Sequence, residues 1–248
     1  MLLAVDIGNT NIVVGLYDQT VLKYTFRMST VRGRTSDEYW NELVQMMSLR
    51  GVTPAQVHAA IVASVVPPIT EVFVEAVRLA VAREPLLVGG PGLKTGIAVL
   101  YETPHDVGAD RIVNAVAAYE RVRDAVIVVD FGTATTIDCV SAKAEYLGGV
   151  IAPGVEVSID ALLARAAKLR AVEIAAPPRV LGRTTAHSLQ SGIVHGFAAL
   201  VDGLVERLQA ELGVACEVIA TGGLARLIVK HTKKVRQVDE HLTLEGLR

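Results

Sequence analysis

Aromatic side chains are scarce in this chain, at 4% of 248 residues and with a single tryptophan, although 51% of the residues are hydrophobic. The core must therefore be built from aliphatic side chains, which suits sheets covered on both faces and an oligomeric interface. Cysteine is nearly absent: Cys139 and Cys216 form neither a disulfide framework nor a metal-ligand spacing, and both read as small buried thiols in strands. Neither sign of charge is in excess, and a formal net charge of -2 leaves no electrostatic footprint for nucleic acid. The one basic tract, "VKHTKKVR", is short enough to be a solvated face.

Uninterrupted apolar runs are also missing. Asp6 cuts the N-terminal run, which has no basic leader, so a signal peptide is not expected. Pro67, Pro68, Glu71, Glu75 and Arg78 break the stretch from 59 to 88, so no bilayer-spanning segment is expected there. A reducing cytoplasm, no membrane and no nucleic acid are the resulting expectations. Two nucleotide signatures are lacking as well. "VGGPGLKT" at 88–95 has Leu93 where a P-loop needs glycine, and no G-x-G-x-x-G follows a strand.

What is present begins with "LLAVDIGNTNIVVGLYD", residues 2–18. Gly8, Asn9 and Asn11 supply turn chemistry, but a turn does not explain Asp6 at the end of a buried-looking strand, where an unpartnered carboxylate is costly. A second copy of the device is "VIVVDFGTATTIDCVS", residues 126–141, in which Asp130-Phe131-Gly132 matches Asp6-Ile7-Gly8 half a chain later. The repeat predicts a duplicated fold whose halves present the same turn to a shared ligand.

The remaining pattern is mixed α/β. Strands are expected at 2–7, 11–17 and 20–27, then a helix from Ser36 or Asp37 to about Leu49 with a serine N-cap. "VHAAIVASVV" reads as a buried strand stopped by Pro67-Pro68, followed by an amphipathic helix and the strand "EPLLVG". After an irregular connector at 89–106, strands are expected near 126–131, 135–141 and 145–151, helices at 154–169 and 186–212, the strand "CEVIATGG" and a short helix from Leu224. The boundary between the halves lies between 89 and 125.

Three glycine turns at strand ends, "DIGNTN", "DFGTAT" and "ATGG", form the layout of a phosphate clamp: glycine admits close approach of backbone N–H groups, threonine adds donors, and aspartate can hold cations. "YETPHDVGADRIVNAVAAYERV", 101–122, opens a helix for which Asp106 is a candidate N-cap. Asp110 then has two readings. It is a first-turn carboxylate favoured by the helix dipole, or a general base beside Gly108, which leaves room for substrate, and Arg111, which can bind an anion. His187 and His195 lie eight apart on one helix and do not make a ligand cluster.

Seven motifs, "DIGNTN", "GPGLKTG", "GADRIVNAVAA", "DFGTATTID", "LGGVIAPG", "TTAHSLQSGI" and "ATGGLA", resemble in order and spacing the type III pantothenate kinases of bacterial coenzyme A biosynthesis, over nearly the whole chain. The resemblance implies two related ribonuclease H-like α/β domains of the acetate and sugar kinase/Hsp70/actin fold, with duplicated mixed sheets and flanking helices. It places an N-terminal half at 1–106, holding the first phosphate turn, and a C-terminal half at 107–248, holding pantothenate and cation sites. It also implies a homodimer, ATP as phosphoryl donor, Mg²⁺, and a monovalent cation, K⁺ or NH₄⁺. Carried over by position, Asp6, Ile7, Gly8, Asn9, Thr10, Asn11, Ile12 and Val13 become the first ATP-binding turn, with Asp6 near Mg²⁺. Thr133 becomes a second ATP contact, Asp130 the monovalent-cation ligand and Asp110 the proton acceptor. Tyr101, Gly108, Ala109, Asp110, Arg111 and Thr185 become pantothenate contacts, with His187 inside the last of these motifs. The alternatives are a kinase for another small acceptor and a nucleotide-binding regulator of the same fold.

Overall fold

A computed structural model describes residues 1–90 and 93–248. Pro91 and Gly92, within the "GPGLKTG" motif and the P-loop look-alike, lie outside the described residues. The elements run β1 (Leu2–Ile7), β2 (Asn11–Asp18), β3 (Val21–Ser29), α1 (Ser36–Ser48), β4 (Ala59–Ser64), α2 (Pro67–Val81), β5 (Leu86–Leu87), β6 (Ala98–Val99) and α3 (Ala109–Val122). They continue with β7 (Val126–Phe131), β8 (Ala134–Val140), β9 (Glu145–Pro153), α4 (Val155–Arg165), α5 (Thr185–Leu212), β10 (Glu217–Thr221), α6 (Ala225–Ile228), β11 (Gln237–Val238) and α7 (Leu242–Leu247).

Two compact units result. The first comprises Met1–Ile97, Glu102–Ala117 and Thr243–Arg248; the second comprises Ala98–Tyr101 and Ala118–Leu242. A single cut at 106/107 does not describe these units, because packing and strand pairing regroup the chain. β6 pairs with β9, and Leu244 and Leu247 from the C-terminus enter an apolar cluster with Ala4, Tyr17, Ala63, Val88 and Val113.

Each unit has its own mixed sheet, ordered β3-β2-β1-β4-β5 in the first and β11-β10-β7-β8-β9-β6 in the second. The half-chain repeat is visible strand by strand. In each unit the aspartate-bearing strand pairs antiparallel with the next strand and parallel with a later one: β1 with β2 and β4, β7 with β8 and β10. Asp6 stands opposite Val13 and Ala63, Asp130 opposite Thr136 and Thr221. The strand after each aspartate turn carries an irregularity in its pairing with the strand that follows it, β2 with β3 at Leu16/Tyr17 and β8 with β9 at Cys139/Val140.

The aliphatic core forms as the composition requires. Leu3, Val5, Ile7, Ile12, Val14 and Leu16 bury one face of the first sheet against α1 and α2, where Tyr39 and Phe73 meet edge to face at 5.1 Å. In the second unit, Ile127, Val129, Ile137 and Cys139 pack with Val194, Ala198, Val201 and Val205 of α5. Burial raises the Cys139 thiol to about 12 and also raises Cys216, so both remain neutral thiols at physiological pH.

Several local expectations change. The N-cap of α1 is Thr35, reciprocally bonded with Glu38, and Ser36 is already the first helical residue. Asp106 ends a short 3₁₀ turn, Pro104–Asp106, and the first bond of α3 runs from the Ile112 N–H to the Gly108 carbonyl. The helix at 154–169 stops at Arg165. By length and composition α5 could cross a membrane. The sequence reading overlooked it; Ile193, Val194, Ala198, Val201 and Val205 turn one face of α5 into the second core.

Packing of the C-terminus yields a stability prediction. Thr243 Oγ1 donates to Asn114 Oδ1 at 2.8 Å, and a Cβ at Gly246 would overlap the Val113 carbonyl of α3. Gly246→Ala is expected to cost about 1 to 3 kcal/mol, read as a lower urea midpoint at unchanged slope. Gly192→Ala on α5, where the added Cβ meets open space, serves as the control and should not destabilise.

Candidate functional site

Asp6 is the penultimate residue of β1, half-buried between β2 and β4, and the chain turns immediately after it. Gly8 N–H donates to the Asn11 carbonyl at 3.0 Å, closing the turn tightly enough that a Cβ at Gly8 would come to 3.1 Å from that oxygen. Thr30, just past β3, pins the turn from outside: its Oγ1 donates to the Gly8 carbonyl at 2.7 Å and its N–H to the Thr10 carbonyl at 3.0 Å. Asn9 and Thr10 are exposed, whereas Ile7 and Ile12 are fully buried core residues. Ile7 and Ile12 can thus serve a ligand only through their backbone. Val13 is half-buried in β2.

The start of α3 belongs to the same unit. Val65 links it to β1: the Val65 N–H donates to the Ile7 carbonyl at 3.1 Å, and a Cβ at Gly108 would sit 3.3 Å from Val65 Cγ1. Asp110 occupies the first turn, where its Oδ1 accepts the Arg111 N–H at 2.7 Å. The same oxygen folds back over Gly108, to within 2.5 Å of where a Cβ would stand. A side chain at 108 would displace the carboxylate. Ala109 packs against the cluster of Ala4 and Tyr17, and Arg111 is buried, so a cation is held within one residue of Asp110. The fold therefore collects Asp6, the 8–11 turn, Gly108, Asp110 and Arg111 into one unit.

The second unit repeats the aspartate turn with more glycine around it. Gly132 N–H donates to the Ala134 carbonyl at 3.1 Å. Asp130 Oδ1 lies 3.5 Å from the Cβ position of Gly132 and 2.6 Å from that of Gly222, which has a φ of +94°. A half-buried carboxylate between two glycine turns is a cradle that added Cβ atoms would fill. Thr133 is exposed on this turn, and α4 starts hard against it, since a Cβ at Gly154 would overlap the Thr133 carbonyl. Tyr101 and Thr185 also belong to this unit, Tyr101 after β6 and Thr185 as the exposed first residue of α5, whose cap is Thr184. Tyr101 and Thr185 are thus grouped with Asp130, and Gly108 to Arg111 with Asp6. His187 donates its backbone N–H to Thr184 Oγ1 at 3.1 Å.

The oxygen chemistry fits the cations implied. Magnesium binds through one or two carboxylates together with substrate phosphates, and the Asp6 carboxylate beside a glycine turn offers that arrangement. Asp130 in its cradle supplies an anionic oxygen suited to a hard monovalent cation. Among the described residues no three His, Cys, Asp or Glu side chains converge on a closed metal cage.

Asp138 was missed by the sequence reading. It is fully buried in β8 and accepts hydrogen bonds from Tyr146 and Thr136. Its signal was the same as that of Asp6, a carboxylate inside an apolar strand, "TTIDCV".

The chain is similar to known proteins over nearly its whole length. A family model described as type III pantothenate kinase matches residues 2–207. Type III pantothenate kinases from Anaeromyxobacter sp. strain K and from Myxococcus xanthus are each 52% identical over 248 residues, covering 100% of this chain and 97% and 96% of theirs. Among solved structures, a Campylobacter jejuni protein described as a Baf family transcriptional activator aligns with a TM-score of 0.59 at 20% identity, covering 98% of this chain and 94% of its own. Ethanolamine utilization protein EutJ from Carboxydothermus hydrogenoformans aligns at 0.53 and 13% identity, covering 99% and 88%. At those identities the structural likeness establishes the fold alone, two mixed sheets with flanking helices.

Proposed function

The chain belongs to the type III pantothenate kinase family, and from that membership we propose that it phosphorylates pantothenate with ATP to give 4'-phosphopantothenate, opening coenzyme A biosynthesis. The observation that carries the reading is full-length identity of 52% with family enzymes, joined to a carboxylate placed over a glycine at the head of α3.

In the proposed reaction the primary hydroxyl of pantothenate attacks the γ-phosphorus of ATP in line. The bond to the β–γ bridging oxygen breaks, ADP leaves, and Asp110 takes the hydroxyl proton. Gly108 leaves space for the acceptor and Arg111 offers a buried cation to its carboxylate, with Ala109, Tyr101 and Thr185 as further contacts. Backbone groups of Gly8, Asn9, Thr10 and Asn11 approach the phosphates, and Thr133 adds a hydroxyl. Asp6 would hold Mg²⁺ and Asp130 a potassium or ammonium ion, which offset phosphate charge as negative charge spreads over the transferring group. Most of the acceleration then comes from positioning and preorganised charge. We infer a cytoplasmic homodimer. We infer that the two halves, 1–106 and 107–248, are the trace of a duplication.

The decisive assay supplies millimolar ATP and Mg²⁺ with pantothenate, in potassium and in sodium salts, and detects 4'-phosphopantothenate directly. Product in potassium that falls sharply in sodium is the expected result. Absence of product in both salts, from folded protein, overturns the reading and leaves a kinase for another acceptor or a nucleotide-binding regulator.

A further inference from the structure

Tyr101 follows a strand of only two residues, so its neighbours must hold it in place. β6 is an edge strand. Ala98 N–H donates to the Ala144 carbonyl and Leu100 N–H to the Tyr146 carbonyl, both at 2.9 Å. The ring of Tyr101, 36% exposed, leans on the ring of Tyr146 with centroids 6.3 Å apart and planes inclined at 59°. Gly148 lies beneath it with a φ of +122°, its Cβ position 3.5 Å from the Tyr101 ring. A side chain there would be strained by the backbone, and its Cβ would stand in ordinary van der Waals contact with the tyrosine ring.

Tyr146 is itself fully buried, and its hydroxyl donates to Oδ1 of Asp138 at 2.7 Å. The other carboxylate oxygen, Oδ2, accepts from Thr136 Oγ1 at 3.1 Å. A carboxylate in a strand with no solvent exposure is costly, and an apolar side chain would hold the sheet more cheaply. What the carboxyl group adds is direction: the 2.7 Å bond from the Tyr146 hydroxyl anchors the tip of the ring at one place along the sheet. Tyr146 then sets Tyr101 twice, through its carbonyl at the backbone of Leu100 and through its ring.

We propose that Tyr146 and Asp138 are positioning residues for the acceptor substrate, acting through Tyr101. This rests on the reading of Tyr101 as a pantothenate contact. Held by a buried polar pair, the exposed tyrosine presents one orientation to pantothenate, and loosening the pair weakens acceptor binding without touching the nucleotide.

The test is a double-mutant cycle in the full-length enzyme, with KM for pantothenate, KM for ATP and kcat measured separately. Tyr146→Phe is expected to raise the pantothenate KM about tenfold, as loss of one buried hydrogen bond that leaves a partner oxygen unsatisfied allows, with kcat and the ATP KM within about twofold. In a Tyr101→Ala background the same change should have no further effect, because its route is gone. Asp138→Asn, which keeps an acceptor for Tyr146, should stay within about threefold of wild type, and Asp138→Ala should reproduce Tyr146→Phe. Thr136→Val, which leaves Tyr146 intact and removes the second donor to Asp138, carries the same cycle if Tyr146→Phe does not fold. An unchanged pantothenate KM, or effects that multiply independently of Tyr101, would overturn the proposal. A Tyr101→Ala enzyme with normal pantothenate KM would overturn the reading of Tyr101 instead, and this inference with it.

Discussion

Asp110→Asn should lower kcat by about 10² to 10⁴ while leaving ATP binding and thermal stability close to wild type, the range for removal of a positioned general base. The change is nearly isosteric. The oxygen of the substituted amide can still accept the Arg111 N–H, so the first turn of α3 is not disturbed; what disappears is the ability to take a proton. The competing reading treats Asp110 as a helix-dipole residue, for which the loss would be about 0.3 to 1 kcal/mol of stability and no catalytic defect. Steady-state kinetics alongside a thermal melt separate the two. Turnover near wild type in a folded Asp110→Asn enzyme would sink the assignment. Gly108→Ala offers an orthogonal check, since it leaves the carboxylate present and pushes it aside: its Cβ would come 2.5 Å from Asp110 Oδ1.

Asp6→Asn should reduce kcat/KM for MgATP by about 10² or more, comparable to removing one preorganised group that stabilises transition-state charge. Asp6 stands next to a tightly closed turn and is flanked by β2 and β4, so the amide fits the same space. Its oxygen is a much weaker magnesium ligand than a carboxylate. Raising free Mg²⁺ should therefore recover part of the lost rate, and the rescue distinguishes a cation role from a structural one. A variant with wild-type MgATP kinetics, or one whose loss is indifferent to Mg²⁺, would show that Asp6 serves the sheet and not the metal.

Much of this was legible in residue order. The two aspartate turns are legible as a pair because period-two strands and glycine turns are local signals, and the same pattern of antiparallel and parallel neighbours recurs about each aspartate strand, although the second turn is one residue shorter. Helix ends were less legible. Thr35 and Ser36 are both good caps, and only the reciprocal bond with Glu38 selects Thr35. Asp106 resembles a cap by type, but Pro104 directs it into a 3₁₀ turn and the helix waits for Gly108. β6 and α7 escaped notice because two residues of strand and six of helix carry no periodicity of their own. Asp138 was visible in "TTIDCV", yet its meaning depended on a tyrosine eight residues away across an irregular strand pair.

The sequence by itself determined the aliphatic α/β character, the half-chain duplication, the aspartate and glycine turns at strand ends and the family resemblance, because each depends on neighbours within a few residues or on ordered motifs. Only the tertiary structure decided how the chain is regrouped. Glu102–Ala117 and Thr243–Arg248 join the unit of Asp6, while Ala98–Tyr101 joins that of Asp130. That outcome rests on strand pairing and on burial of Leu244 and Leu247 beside Val113, contacts made between residues far apart in sequence, whose free energy local propensity does not encode.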